Sequence, residues 1–404
     1  MQQMLRSVIN SLMLPRGTLS RDLKLIFVSN FIGAIGDGLY AYILPVYIRG
    51  LGASSADVGF LYSIFILSTA LTIIPGGFLA DRYDRRKVMF LGWLLWVPVP
   101  LMFSAATHWT QLIPVMPLYG FFISGPATSA YIVTFAKKDR VTLTYTSMSA
   151  AWWLGYVFSP GLGGYLSSLV GMQNVLIASF ILYAAATLIL LLIRSQRAER
   201  PNKQSAAHAK LGSDHVKPIV LLSVFFGVVF FFLNLVRPLV VQFFQDSYRL
   251  ESVGIGLLGS IGFIGSAVFS VLLGKTGDKL GKMVATAIAL LVGGFSFGLF
   301  ISFNLFYGLA FASFLNGASY QLWSLMGASV GSIAPESSRG RWISLAQMSA
   351  TLAAATAPYV GGVVYQQSPL MPFYVVVAVM PTLSLISLVK PLKEKLSKTK
   401  IVAA

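Results

Sequence analysis

The chain has 404 residues, of which 56% are hydrophobic and 11% charged, with a mean hydropathy of +0.75 and a formal net charge of +17. Soluble domains carry about 25% charged residues, so this composition excludes a soluble globular protein and describes one with many membrane spans. Cysteine is absent, which excludes disulfides and thiolate chemistry, and the scattered His108, His208 and His215 argue against a metal site.

In chain order, residues 1–24 form an N-terminal segment whose apolar bias around Arg6 suits either a surface-lying or a disordered stretch. The first apolar run is too long for a cleavable leader and lacks a small-residue cleavage site, so it is expected to act as its own insertion signal. Runs of about 20 apolar residues, the length of a helical span, predict helices at 25–48, 56–80, 88–106, 112–135, 146–169 and 174–193. Six more follow at 219–244, 252–274, 283–303, 305–330, 342–365 and 371–389. Barrel strands would instead show alternating segments of about ten residues. The fold class is therefore an all-α polytopic membrane protein with twelve spans. Two six-helix bundles, 25–193 and 219–389, flank a polar linker at 194–218, and a basic tail occupies 390–404.

Lys and Arg fall on alternate loops. One side collects Arg6, Arg16, Arg21, Lys24, then Arg82, Arg85, Arg86, Lys87, then Lys137, Lys138, Arg140, the 194–217 linker, Lys275, Lys279, Lys282, Arg339, Arg341 and the tail from Lys390. The other side has Arg49, Arg249 and little else. The positive-inside rule places both termini and the linker in the cytoplasm of a plasma-membrane protein. Placement beside anionic lipid, rather than a nucleic-acid partner, accounts for the charge excess.

The two halves are related. Gly77 to Arg82 and Gly274 to Lys279 both read Gly-x-x-x-Asp-(Arg/Lys), and Val58-Gly59-Phe60-Leu61-Tyr62-Ser63-Ile64 recurs as Ile255-Gly256-Leu257-Leu258-Gly259-Ser260-Ile261. Subtracting 59 from 256, or 81 from 278, gives the same offset of 197. A twelve-span chain of two similar halves, each with this loop after its second span, resembles the major facilitator superfamily of secondary transporters. The resemblance covers nearly the whole chain. It implies an alternating-access fold of two pseudo-symmetric bundles around one cavity, working as a monomer with no cofactor. It also implies that Gly77, Asp81, Arg82, Arg85 and Arg86, with Gly274, Asp278, Lys279 and Gly281 in the second copy, latch the halves in one access state. Asp84 stands where the family pattern has Gly.

A second matching pair lies in spans five and eleven. Ser159-Pro160-Gly161-Leu162-Gly163-Gly164 recurs as Ala357-Pro358-Tyr359-Val360-Gly361-Gly362. Proline interrupts the backbone ladder and paired glycines permit close packing, so Pro160, Gly163, Gly164, Pro358, Gly361 and Gly362 are expected at bends or contacts. With Gly155, the first copy resembles the fifth-helix motif of drug–proton antiporters. Ser159 replaces the Gly before Pro, and Gly155 is one place nearer than in that motif. Packing alone is the competing reading.

Charges inside spans are costly and usually functional, and two are predicted. Asp37 lies in span one, where a carboxyl can exist neutral as well as charged, as a reversible proton carrier requires; a structural hydrogen bond or ion pair is the alternative. Arg237 lies in span seven, one turn beyond Asn234, the duplicated counterpart of Asp37. It can face Asp37, bind an anionic group, or snorkel to the interface. Tyr40, Tyr131, Trp152, Trp153, Tyr156, Asn316, Tyr320, Gln321 and Trp323 complete the cavity candidates, against a helix-packing reading for the same stripes. An aromatic lining with few charges suits amphipathic solutes better than polyols.

No nucleophile–base pair, phosphate-binding loop or metal cluster is present in the sequence, so an enzyme or an ATP-driven pump is not expected. The reading is proton-coupled efflux of small amphipathic compounds, with Asp37 as the proton site. Proton-coupled symport or facilitated diffusion of an organic anion is the alternative. A transport-inactive sensor or lipid-handling protein on the same scaffold stays open.

Overall fold

The computed structural model describes residues 20–136, 141–197, 213–334 and 339–389. Outside these residues lie the N-terminal segment with Arg6 and Arg16, the basic turn of Lys137, Lys138 and Arg140, and most of the linker with His208. The side chains of Ser149 and His215, the turn from Pro335 to Ser338 and the tail from Lys390 lie outside them too.

The first half runs α1 Arg21–Ala41, α2 Leu44–Gly50, α3 Ser55–Arg82, α4 Arg85–Trp96, α5 Pro98–Ala105, α6 Val115–Tyr119, α7 Ser124–Phe135, α8 Val141–Val170 and α9 Met172–Ile189. The second half runs α10 Ser213–Tyr248, α11 Ser252–Lys279, α12 Lys282–Ser302, α13 Phe306–Tyr320, α14 Leu322–Ile333, α15 Arg339–Ala353, α16 Ala357–Gln367 and α17 Met371–Leu388. No strand occurs among the described residues; a single bridge pairs Asp84 with Arg197.

Among the described residues, eight helical stretches are long and apolar enough to cross a membrane, one of them α4 and α5 taken together. The other four expected spans take different forms. Segment 146–169 lies within the 30-residue α8. Segments 112–135, 305–330 and 342–365 are each two helices separated by a break. Helix starts follow capping chemistry. Ser20 caps α1 through the Leu23 N–H, so that helix begins at Arg21 rather than at 25. Ser54 and Asp57 form a capping box at the start of α3. Pro45, Pro98 and Pro358 each sit in the first turn of a new helix, where the missing N–H costs nothing.

Each half has its own apolar core. Close packing between halves follows the duplication. A side chain at Gly163 would strike the Leu39 carbonyl, and one at Gly361 would strike that of Leu235. Gly164 lies on the Ser252 carbonyl and Gly362 on that of Ser55; Gly256 lies on the Pro160 carbonyl and Gly59 on that of Pro358. Thus the first glycine of each pair seats its helix on its own half, and the second seats it on the opposite half. Without a side chain in the way, backbones approach closely, which is what drives helix association in lipid. Pro160 lies inside the uninterrupted α8, whereas Pro358 follows a true break at 354–356.

Candidate functional site: the central cavity

Between the halves lies a cavity of about 440 Å³ lined by Asp37, Trp96, Tyr119, Trp152, Trp153 and Tyr183 from the first half, and by Phe230, Asn234, Arg237, Tyr320 and Trp323 from the second. Tyr119 ends the short α6, and the chain then breaks before α7. Three hydroxyls of α3 satisfy the freed backbone. Ser68 donates to the Pro117 carbonyl at 2.7 Å and Thr69 to that of Gly120 at 2.9 Å, while Thr72 accepts from the Phe122 N–H at 2.9 Å. Irregular backbone at membrane depth needs such partners. Here they hold Tyr119 against the proton-site candidate.

Asp37 is 7% exposed. Its Oδ1 accepts from the Tyr183 hydroxyl at 2.6 Å and the Tyr119 hydroxyl at 3.1 Å, and its Oδ2 accepts from Tyr156. A carboxylate at mid-span costs about 2.5–3.5 kcal/mol, and each hydrogen bond to a charged group returns about 1.5–3 kcal/mol. Three phenols therefore suffice to hold Asp37 without a cation, and no ion pair joins it to Arg237.

Arg237 donates to the Ser319 carbonyl at a long 3.4 Å and stacks 5.2 Å above the Tyr320 ring. A guanidinium carries five N–H donors, so most of its capacity faces the cavity and an adjoining void that includes Ser313 and Asn316. Asn234 lines the cavity but turns its amide back to the Phe230 carbonyl at 2.8 Å.

The remaining predicted cavity residues divide. Trp152, Trp153, Tyr320 and Trp323 line the cavity, and Tyr156 reaches it through Asp37. Tyr40 is fully buried against Phe103 and Tyr119. Tyr131 is placed elsewhere, bonded to the Arg194 carbonyl at 2.9 Å and Asp22 at 3.4 Å. Gln321 is buried on Ser266, and Asn316 donates to Ser296 at 2.9 Å. The break at Gln321 is the reason: it ends α13 and α14 begins at Leu322, so the candidates from Asn316 to Trp323 do not form one continuous helical face. Sequence reasoning missed Tyr119 and Tyr183. For Tyr183 a signal existed, since Ser179, Tyr183 and Thr187 form a polar stripe at helical spacing in an apolar span. It also missed Asp22, buried at 3% beside Arg194, because the first helix starts earlier than its apolar run.

The sequence profile described as Major Facilitator Superfamily matches residues 26–247 and 221–403. The chain belongs to this superfamily. It is an integral membrane transporter and not an enzyme. It is 25% identical over 370 residues to the multi-drug resistance efflux pump PmrA homolog of Lactococcus lactis, covering 85% of this chain and 88% of that protein. Multidrug resistance protein 2 of Bacillus subtilis is 26% identical over 290 residues, 68% of this chain and 71% of that protein. Among solved structures, a peptide transporter POT in complex with sulfate superposes with a TM-score of 0.76 at 14% identity, covering 98% of this chain and 99% of that one. That likeness concerns the fold.

In this superfamily member the two repeat loops occupy the basic face, the face that carries the clustered Lys and Arg. Asp81, Arg82, Asp278 and Lys279 are exposed and have no hydrogen-bonding or ionic partner among the described residues, although Arg82 stacks on Phe78 at 5.8 Å. Gly77 and Gly274 have open space around them. Arg85 instead braces its own half, reaching Thr134 at 2.8 Å and the Ala80 and Ala130 carbonyls at 3.3 Å, and Arg86 donates to the Leu191 carbonyl at 2.5 Å. The two loop copies differ in backbone. Gly281 has φ +104°, a conformation that favours glycine, whereas Asp84, its counterpart, is at φ −60°. Asp84 caps α4 through the Arg86 N–H and accepts from Ser195 and the Gln196 N–H. Burial opposes its charge, but the bonds from Ser195, Gln196, Lys87 and Arg86 outweigh it and hold the carboxyl below the usual range.

On the opposite face the halves are joined. Arg49 contacts both carboxylate oxygens of Asp246 at 2.6 and 2.7 Å, and Tyr365 donates to Asp246 at 3.0 Å. The glycine contacts of α3 with α16 and of α11 with α8 lie toward this same face. The cavity lies on the basic side of that packing.

Proposed function

We propose that this chain exports small amphipathic compounds in exchange for protons, with Asp37 as the proton site and the basic face in the cytoplasm. The observation that carries this reading is that Asp37 stands at the cavity wall held by three phenols and by no fixed cation. It can gain or lose a proton without breaking an ion pair, and a phenol can turn from donor to acceptor as it does so. Aromatic walls formed by Trp96, Trp152, Trp323 and Tyr320 suit flat apolar solutes. The efflux pumps among its relatives agree in direction. One charge crossing the membrane is worth about 2.3 kcal/mol per 100 mV, enough for one proton to sustain a moderate gradient of drug. The experiment is transport in proteoliposomes under an imposed pH gradient, with a panel of lipophilic cations and Asp37→Asn in parallel. Gradient-driven accumulation that needs Asp37 supports the reading, and accumulation indifferent to Asp37→Asn refutes the proton assignment.

A second reading has its own observation. Arg237 lines the same cavity with one long hydrogen bond and no carboxylate. A guanidinium so placed suits the acidic group of an organic anion, taken up with protons or by facilitated diffusion. Anion movement lost in Arg237→Ala favours this reading over efflux of cations.

A further inference from the structure

The second half carries a groove on its outer side, away from the transport cavity. It lies between α10 and α15 and encloses about 520 Å³, lined by Val220, Val224, Phe231, Trp342, Leu345 and Ser349 among others. Its cause is visible in the duplication. In the first half, Gly155 of α8 packs on Ala34 of α1, leaving no room for a side chain. The corresponding residues in the second half are Ala353 and Phe231, both at the groove wall. A small pair that lets two helices touch has been replaced by a bulkier pair, and the helices approach instead at Gly227, where an added side chain would stand 3.2 Å from the Ala353 methyl and narrow the groove floor.

The groove faces away from the transport cavity. On α15 the cavity is lined by Thr351, with Ala354 just past the helix end, while the groove takes Leu345, Ser349 and Ala353, the opposite side of that helix. Its two serines make no demand on a ligand, because Ser223 donates to the Ile219 carbonyl at 2.8 Å and Ser349 to that of Ala346 at 3.0 Å. The occupant must therefore be hydrocarbon within the groove. At the basic end the character changes. Lys217 is exposed and continues the face of Val220, Val224 and Val228, and Arg341 is exposed one turn before Leu345, beside Trp342. Apolar stripes that end in cations next to an interfacial tryptophan match a phospholipid with an anionic headgroup.

We infer that this groove binds one anionic phospholipid, its acyl chain along Val220, Val224 and Ser349 and its phosphate at Lys217 and Arg341. The site is separate from Asp37 and Arg237, so it stands or falls independently of the transport reading.

The test uses full-length protein in nanodiscs of phosphatidylcholine containing a trace of phosphatidylglycerol with a diazirine on its acyl chain. Irradiation is expected to label α10 and α15 around Val224 and Ser349. Unlabelled phosphatidylglycerol should compete at least tenfold better than phosphatidylcholine. Lys217→Gln with Arg341→Gln should abolish that preference, and Ser349→Phe, which fills the groove, should remove the labelling while labelling elsewhere persists. Equal competition by the two lipids, labelling spread evenly over the exposed faces of α9 and α17, or displacement by tetraphenylphosphonium but not by phosphatidylglycerol overturns the assignment. Thermal unfolding of each variant checks that lost labelling is not lost fold.

Discussion

Arg49 and Asp246 are duplicated counterparts of one another, 197 residues apart, and each is the other's ion-pair partner across the two halves. One ancestral position has diverged into opposite charges that meet on the pseudo-symmetry axis. On the proposed transport reading, this face opens in the opposite access state and the pair parts.

We therefore expect Arg49→Asp to shift the population toward opening at this face, and the double variant with Asp246→Arg to restore closure. Both partners are about one-third exposed, so solvent screening keeps the single-pair effect to roughly 0.2–1 kcal/mol, a change of up to about fivefold in the ratio of states. Spin labels on the ends of α2 and α10 would report the distance distribution. No shift in the single variant, or no restoration in the swap, argues against a gating role.

Removing the cage of Asp37 tests how its charge is held. Tyr183→Phe and Tyr156→Phe are each expected to lower stability by about 1–3 kcal/mol and to move the pH profile of transport. Asp37→Asn should keep the fold and abolish coupling. Thermal unfolding and gradient-driven transport separate the two effects.

For Arg237, the lysine and glutamine variants divide the explanations. If the planar fork recognises an acidic group, Arg237→Lys should bind organic anions about tenfold more weakly and Arg237→Gln should lose them. A purely structural cation over Tyr320 would leave the relative affinities for anions and cations unchanged in both.

Asp84 gives a prediction with a definite pH sign. Its carboxyl is held below the usual value of 3.8 in the folded chain. Its contribution is fully present above that value and is lost only as pH falls through the lower folded value. Between pH 5 and 9 the link from Asp84 to Ser195 and Gln196 should not change. Asp84→Asn should loosen it throughout that range, read as faster amide exchange at residues 195–197. A loss of protection between pH 8 and 6 in the unaltered protein would contradict this.

Changing the residue type should destabilise at both Gly281 and Asp84, for different reasons. Gly281→Ala places a side chain at φ +104° and is expected to cost about 1–2 kcal/mol. Asp84→Gly removes a helix cap, at about 1 kcal/mol, without relieving any strain. Chemical denaturation of the two variants checks both magnitudes.

Much of the architecture was legible from residue order because lipid imposes it. A run of apolar residues in a membrane has few options beyond a helix, and an offset of 197 shared by two motifs, with a third at 198, implies two like halves. Even the Pro-x-x-Gly-Gly pairs could be read as contacts. Breaks were harder. Pro117, Gly120 and Gly125-Pro126 in the run 112–135 do weaken a helix there, but the point at which the chain leaves it, after Tyr119, is held by hydroxyls of α3 that lie in another part of the sequence.

The sequence by itself determined the class, the duplication, the side of the membrane that gathers cations, and the two charges inside the spans. Those properties follow from composition and periodicity, which a chain carries before it folds. Only the tertiary structure decided that Asp37 meets three tyrosines from three other helices, that Arg237 meets no carboxylate, and that Tyr131 and Gln321 turn away from the cavity. Which side chains converge depends on how helices rotate and break against one another, and that rotation is set by contacts between residues far apart in the chain.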